Sequence, residues 1–170
     1  AIMHGFGGAG AFRDGKDNIT NELGGNLHQY IGKKEAIELM RYVDTINCNY
    51  GGAKTKLYST ASSSFKTECL RNGLHLLDAS VRHLGTDINY EVLENLYNHL
   101  KDKVEFHFLT RVEHVEKCDG SYHITTDKGD FDALQCVISV GRSGSKWMET
   151  VSKELEIETR SNRVDIGVRV

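Results

Sequence analysis

Apolar positions along the chain change period several times, and each change predicts an element. Ile37, Met40, Val43 and Ile46 recur at helical spacing, so residues 33–47 read as a helix that Gly51 and Gly52 break. A Ser/Thr-rich loop over 58–64 leads into a short helix that stops at Asn72 and Gly73, and 73–81 can be read as a strand. Val92, Leu93, Leu96 and Leu100 form the clearest stripe. They predict a helix over 88–101, with Thr86 or Asp87 as its N-cap.

The period then falls to two. Val104, Phe106, Phe108, Thr110 and Val112 alternate as a strand. Asp119-Gly120 marks a hairpin turn, 121–126 a returning strand, and Lys128-Gly129-Asp130 a second turn before 131–134. These segments predict a three-stranded meander. The apolar run 136–140 reads as a buried parallel strand. Met148, Val151 and Leu155 place a helix over 146–155. Val164, Ile166, Val168 and Val170 alternate as a last strand, in the same sheet as 136–140 and outside the meander. That strand is still running where the sequence stops, so the chain is expected to be a piece of a longer protein. The fold class is a mixture of helices and strands, α/β or α+β.

Composition narrows the function classes. The 170 residues carry a net charge of −3, which disfavours nucleic acid and anionic membrane as partners, and no apolar run is long enough to cross a bilayer. Cys48, Cys69, Cys118 and Cys136 are widely spaced without C-x-x-C, so reduced thiols and a cytoplasmic location are expected. None of the eight histidines has metal-ligand spacing, so no metal site is expected. Proline is absent, and eight of the 17 glycines fall within residues 5–32. That stretch reads as a loop region with short ordered pieces, where backbone can approach a ligand closely.

Two glycine motifs invite chemistry. Gly5-Phe6-Gly7-Gly8-Ala9-Gly10 matches G-x-G-x-x-G, but no strand precedes it and no helix start follows, so it is no Rossmann phosphate loop. Its glycines either make a flexible loop or let backbone N–H groups approach a bulky ligand. Gly141-Arg142-Ser143-Gly144-Ser145 resembles a nucleophile elbow, yet Ser145 stands where glycine is needed and no histidine follows. A strand–turn–helix there suits an anion, or is simply a capped tight turn. His83 stands apart from the other histidines, in a loop beside Gly85 and Asp87 just before the strongest helix.

Taken together the motifs carry a resemblance. Residues 5–16, GFGGAGAFRDGK, resemble the G-F-G-G-A-G-x-F-S-D-G-K segment of uncharacterised bacterial FAD-dependent dehydrogenases, flavoproteins of the two-dinucleotide-binding type. His83-Leu84-Gly85-Thr86-Asp87 is similar to their H-x-G-T-D motif, residues 137–144 to their apolar strand and glycine turn, and residues 164–169 to their I-G-V-R strand. Arg13 replaces the usual serine, and Arg82 stands where proline is frequent. The resemblance implies the central segment of an FAD-dependent oxidoreductase, with a partial FAD-domain-like sheet, a meander and a small helical insertion. It implies a glycine-rich flavin-side region over 1–32, a substrate-side insertion over 33–81 and part of the FAD-binding domain over 82–170.

The implied cofactor contacts are Gly7, Gly8, Ala9 and Gly10 beside the flavin, Val112 at the adenine, and Gly141, Arg142, Ser143 and Gly144 near the pyrophosphate. Asp165 and Gly167 would re-enter the cofactor domain. Asp14, Lys16 and His83 are the catalytic candidates by residue type, expected to share one cleft with a small-molecule substrate. The resembling family's N-terminal fingerprint is not in this chain, so FAD is expected in the full-length protein and not in the chain alone. The other reading is a non-catalytic domain that binds a ligand or partner on a flavoprotein-like scaffold.

Overall fold

Helix α2, Lys33–Asn49, shows how the first half of the chain is organised. Its inner face runs through Ala36, which is wholly buried, and then Asp44, with Ile37, Met40, Asn47 and Cys48 half-buried alongside. Val43, predicted to lie inside, is exposed, because the helix turns Asp44 inward to meet a buried arginine. The computed structural model describes residues 5–12, 15–23, 25–61 and 63–161. The chain divides into two compact units, with the boundary between Phe106 and His107.

The first unit holds strands β1 (Lys16–Ile19), β2 (Leu57–Ser59) and β3 (Ser80–His83), and helices α1 (His28–Ile31), α2, α3 (Phe65–Arg71) and α4 (Gly85–Leu100). The strands form one antiparallel sheet in the order β1-β3-β2. Lys16 faces His83 and Asp17 faces Arg82 in the first pair, and Leu57 faces Arg82 in the second. Successive residues point to opposite faces. Asp17 and Arg82 therefore turn toward α2, while Lys16, Asn18, Tyr58, Val81 and His83 share the other face. The glycine-rich stretch and the helical segment thus contribute to one sheet. Helix α4 begins earlier than predicted, at Gly85 after Leu84, so Thr86 and Asp87 lie in its first turn and no side chain caps it. Its buried residues are Asn89 and Val92.

The second unit is the meander β4 (Val112–Cys118), β5 (Ser121–Thr126) and β6 (Gly129–Ala133), with α5 (Ser145–Glu154) against β4. Its register brings Val115 opposite Ile124 and Ile124 opposite Phe131. Val115 and Val151 are buried. The expected first strand over 104–112 does not form. Leu109 takes φ +54° and is 92% exposed, which ends the extended run. The turn at Asp119 and Gly120 pairs the residues that flank it, Cys118 with Ser121, so β4 is drawn from 112–118 instead.

The expected buried strand over 136–140 is likewise corrected. Those residues have no strand partner among the described residues, and Val137 is 91% exposed. An apolar run becomes a buried strand only when both faces are covered, and none of these residues is buried. The last predicted strand, 164–170, lies outside the described residues. The fold class is α+β, with five α-helices and two antiparallel three-stranded sheets among the described residues. No described helix is long and apolar enough to cross a membrane.

Candidate functional site

Two motifs far apart in sequence meet at one end of the first sheet. The loop that opens at Gly5 runs through a 3-10 turn, Gly8–Phe12, and reaches β1 at Lys16. Phe6 anchors it edge-on to Tyr97 and Phe106, at ring-centroid distances of 5.7 and 5.9 Å. The Asn89 side chain of α4 donates a 2.7 Å hydrogen bond to the Gly10 carbonyl. The Leu84 backbone N–H donates to the Gly15 carbonyl at 2.9 Å. The GFGGAG loop and the HLGTD segment therefore form one wall, stitched by α4 and by the β1–β3 pair.

The glycines of this wall divide by what surrounds them. Gly7 has φ +81°, a backbone conformation that favours glycine, and a Cβ there would press on the Leu93 side-chain tip at 2.8 Å, so local structure calls for glycine. Gly15, at φ +55°, lies equally tight against Asn89. Gly8 and Gly10 have nothing within 4 Å of a built Cβ. Both positions therefore have open space where a side chain would begin, in the turn expected to meet a ligand.

Lys16 and His83 are directly opposed on one sheet face, and both side chains are exposed. Opposed residues in an antiparallel pair have Cβ atoms about 5 Å apart. The two candidates are thus neighbours, but they sit in β1 and β3 rather than in loops. Asp14, the third candidate, lies outside the described residues.

The remaining implied contacts belong to the second unit. Val112 opens β4 opposite Thr126, just before a register shift at His114. Gly141 has φ +62° and open space where a Cβ would be, and it leads into a 3-10 turn, Arg142–Gly144. Gly144 is required by packing, since a Cβ would come within 2.5 Å of Val140. No side chain caps the N-terminus of α5. Trp147 Nε1–H donates to the Glu113 carbonyl at 3.0 Å and so ties the start of α5 to the start of β4. Asp165 and Gly167 lie outside the described residues.

A buried ion pair behind the wall escaped the sequence patterns. Arg82 donates from Nε to Asp44 Oδ1 at 2.6 Å and from Nη2 to Asp44 Oδ2 at 3.0 Å, and its Nη1 reaches the Thr55 carbonyl. Asp44 beside it pushes the guanidinium pKa up. Next to this pair, Asp17 accepts from Asn47 Nδ2 at 2.9 Å, and burial raises the Asp17 carboxyl above its ordinary value. Burial also raises the Cys48 thiol, so it is not an activated nucleophile. The one signal was a charged residue, Arg82, beginning an otherwise recognisable motif. Among the described residues no cluster of three metal-ligating side chains occurs.

On the meander, Asp132 accepts from His123 Nδ1 at 2.8 Å, with Asp130 3.8 Å from Nε2. The hydrogen bond to Asp132 raises the imidazole pKa above its ordinary 6.5. The charged pair therefore adds stability fully below 6.5 and loses it as pH rises through the raised value. An NMR titration should show His123 titrating above 6.5, with Asp132→Asn lowering it. An unshifted His123 in the unsubstituted chain contradicts the pairing.

Comparison of the chain with protein families, with curated proteins and with solved structures finds no match.

Proposed function

We propose that this chain is the central segment of an FAD-dependent oxidoreductase, and that the wall formed by residues 5–16 and 83–87 is its flavin-side surface. The observation that carries the reading is the meeting of those two motifs. Each is similar to a motif of FAD-dependent dehydrogenases, and the pair is joined by the bonds from Asn89 to Gly10 and from Leu84 to Gly15. Two motifs resembling one family would have no reason to adjoin if each were a chance match.

The residues present fit such a cofactor in part. Gly8 and Gly10 leave bare backbone facing open space, as a planar ring requires for close approach. Within the second unit, taken by itself, the open turn at Gly141 is of the kind that admits an anion. Gly7, Gly15 and Gly144 are explained by packing and give no support. Bound flavin would supply the electron transfer. Lys16 would place positive charge beside the ring, and His83, its neighbour across the strand pair, would hold or pass a proton to substrate.

The test uses the full-length protein of which this chain is proposed to be the central segment. It should purify with FAD, released on denaturation and reducible by a donor. Gly10→Val should weaken FAD binding about tenfold or more, equivalent to about 1.4 kcal/mol, without lowering the melting temperature, because the space beside Gly10 is open. A protein that takes up no FAD overturns the proposal. FAD that binds but accepts electrons from no donor favours the non-catalytic binding scaffold instead. Unchanged turnover in both Lys16→Ala and His83→Ala removes those residues from the site.

A further inference from the structure

We propose that a second site in the first unit, the groove between α2 and the ends of its three strands, binds a small organic carboxylate that also carries a hydrogen-bond donor, an amino or hydroxy acid. The groove has a volume of about 360 Å³. That lies within the range of small-molecule sites, roughly 300–1,000 Å³. Its polar lining includes Asn21, Glu22, His28, Lys33, Arg41 and Asp78. None of these residues belongs to the motifs that suggest flavin, so the inference stands apart from that reading.

The charges of the lining select the ligand. Lys33 and Arg41, two turns apart on α2, have no acidic partner within ion-pair distance among the described residues. They supply an unneutralised anion-binding edge. Facing acids argue against a dianion such as phosphate. Asp78 is neutralised by Lys66, at 2.8 and 2.9 Å, but Glu22 meets only the Asp78 backbone N–H, at 3.3 Å. The groove thus offers two cations and one carboxylate with no cationic partner among the described residues. A single carboxylate accompanied by a hydroxyl or ammonium donor matches that balance.

Asn21 also lines the groove. Asn21 Nδ2 donates to the Lys33 carbonyl at 3.0 Å, which fixes the amide with its oxygen turned the other way. That Oδ1 is buried and accepts no hydrogen bond in the structure. Leaving such an acceptor unsatisfied costs about 1–3 kcal/mol. A hydroxyl or ammonium group of the ligand would meet the Glu22 carboxylate, while Arg41 and Lys33 take the ligand's own carboxylate. Ile19 and Ile37, which also line the groove, leave room for a short aliphatic portion.

Titration of the chain with L-lactate, L-alanine, acetate and inorganic phosphate, followed by NMR, tests the site. The run should be made near physiological ionic strength to screen unspecific attraction. Lactate or alanine should shift the Asn21 side-chain amide and the Ala79 backbone amide saturably. It should bind about tenfold more tightly than acetate or phosphate. Arg41→Gln and Lys33→Gln should each weaken that binding severalfold at unchanged melting temperature, since both side chains are exposed. Glu22→Ala should erase the preference over acetate. The proposal is overturned if neither lactate nor alanine saturates, if acetate or phosphate binds as well, or if the Arg41 and Lys33 variants bind like the parent chain.

Discussion

Replacing Arg82 with alanine should destabilise the first unit by about 3–5 kcal/mol, the usual cost of stranding one member of a buried ion pair. The Asp44 and Arg82 side chains are only 12% and 11% exposed, so water cannot solvate the carboxylate left behind. The loss would also free the Thr55 carbonyl, which accepts from Arg82. Most domains are stable by only about 5–15 kcal/mol, so the variant should be substantially unfolded at moderate urea. The companion Asp44→Leu with Arg82→Met removes both charges at similar volume. It should recover most of the stability, because apolar replacement of a buried pair is often neutral or better. Denaturation curves of the single and double variants decide the matter. A single variant as stable as the parent would mean that the pair is solvated.

The second large effect is expected at Gly52, which is buried at the foot of α2. A Cβ there would lie 2.9 Å from the Asn47 carbonyl oxygen and 3.1 Å from its carbon. Both are backbone atoms of the helix end and cannot rotate away, and Leu84 Cδ2 closes the third side at 3.2 Å. Gly52→Ala should therefore cost about 1–3 kcal/mol by overpacking. Gly8→Ala is the informative contrast. Its Cβ meets nothing, so only the backbone preference at φ +54° is lost, about 1 kcal/mol. Thermal melts that rank the two the other way would refute the packing argument.

Sequence periodicity was informative wherever an element is long or its partner is adjacent. Helices α2, α4 and α5 carry repeated apolar positions, and β5 lies between two glycine turns. Strands β1, β2 and β3 have four, three and four residues, too few to show a period, and their partners are distant in sequence. Nothing local could announce that Lys16 would face His83. Strand 104–112 and strand 136–140 were misread for a different reason. Alternation and apolar runs report only what a segment could bury, and neither 104–111 nor 136–140 joins a sheet among the described residues. The buried pair defeats hydrophobic patterning altogether, because Asp44 and Arg82 occupy inward positions that such a pattern reserves for apolar residues. The flavin-side motifs could be recognised only through resemblance, and the groove on α2 only through coordinates.

The order β1-β3-β2 has a kinetic consequence. Its central strand is the last of the three in sequence, so neither pairing can form until the chain through His83 is available, and both must close long loops. The meander closes β4 on β5 and β5 on β6 through short turns and mostly local contacts. Loop-closure entropy makes distant pairing slow and local pairing fast. Refolding should therefore begin in the second sheet, while the wall that brings Lys16 to His83 assembles in a later phase. During synthesis β1 and β2 must wait with unpaired edges for β3 to emerge, and in that interval the half-made first sheet is most open to pairing with another chain.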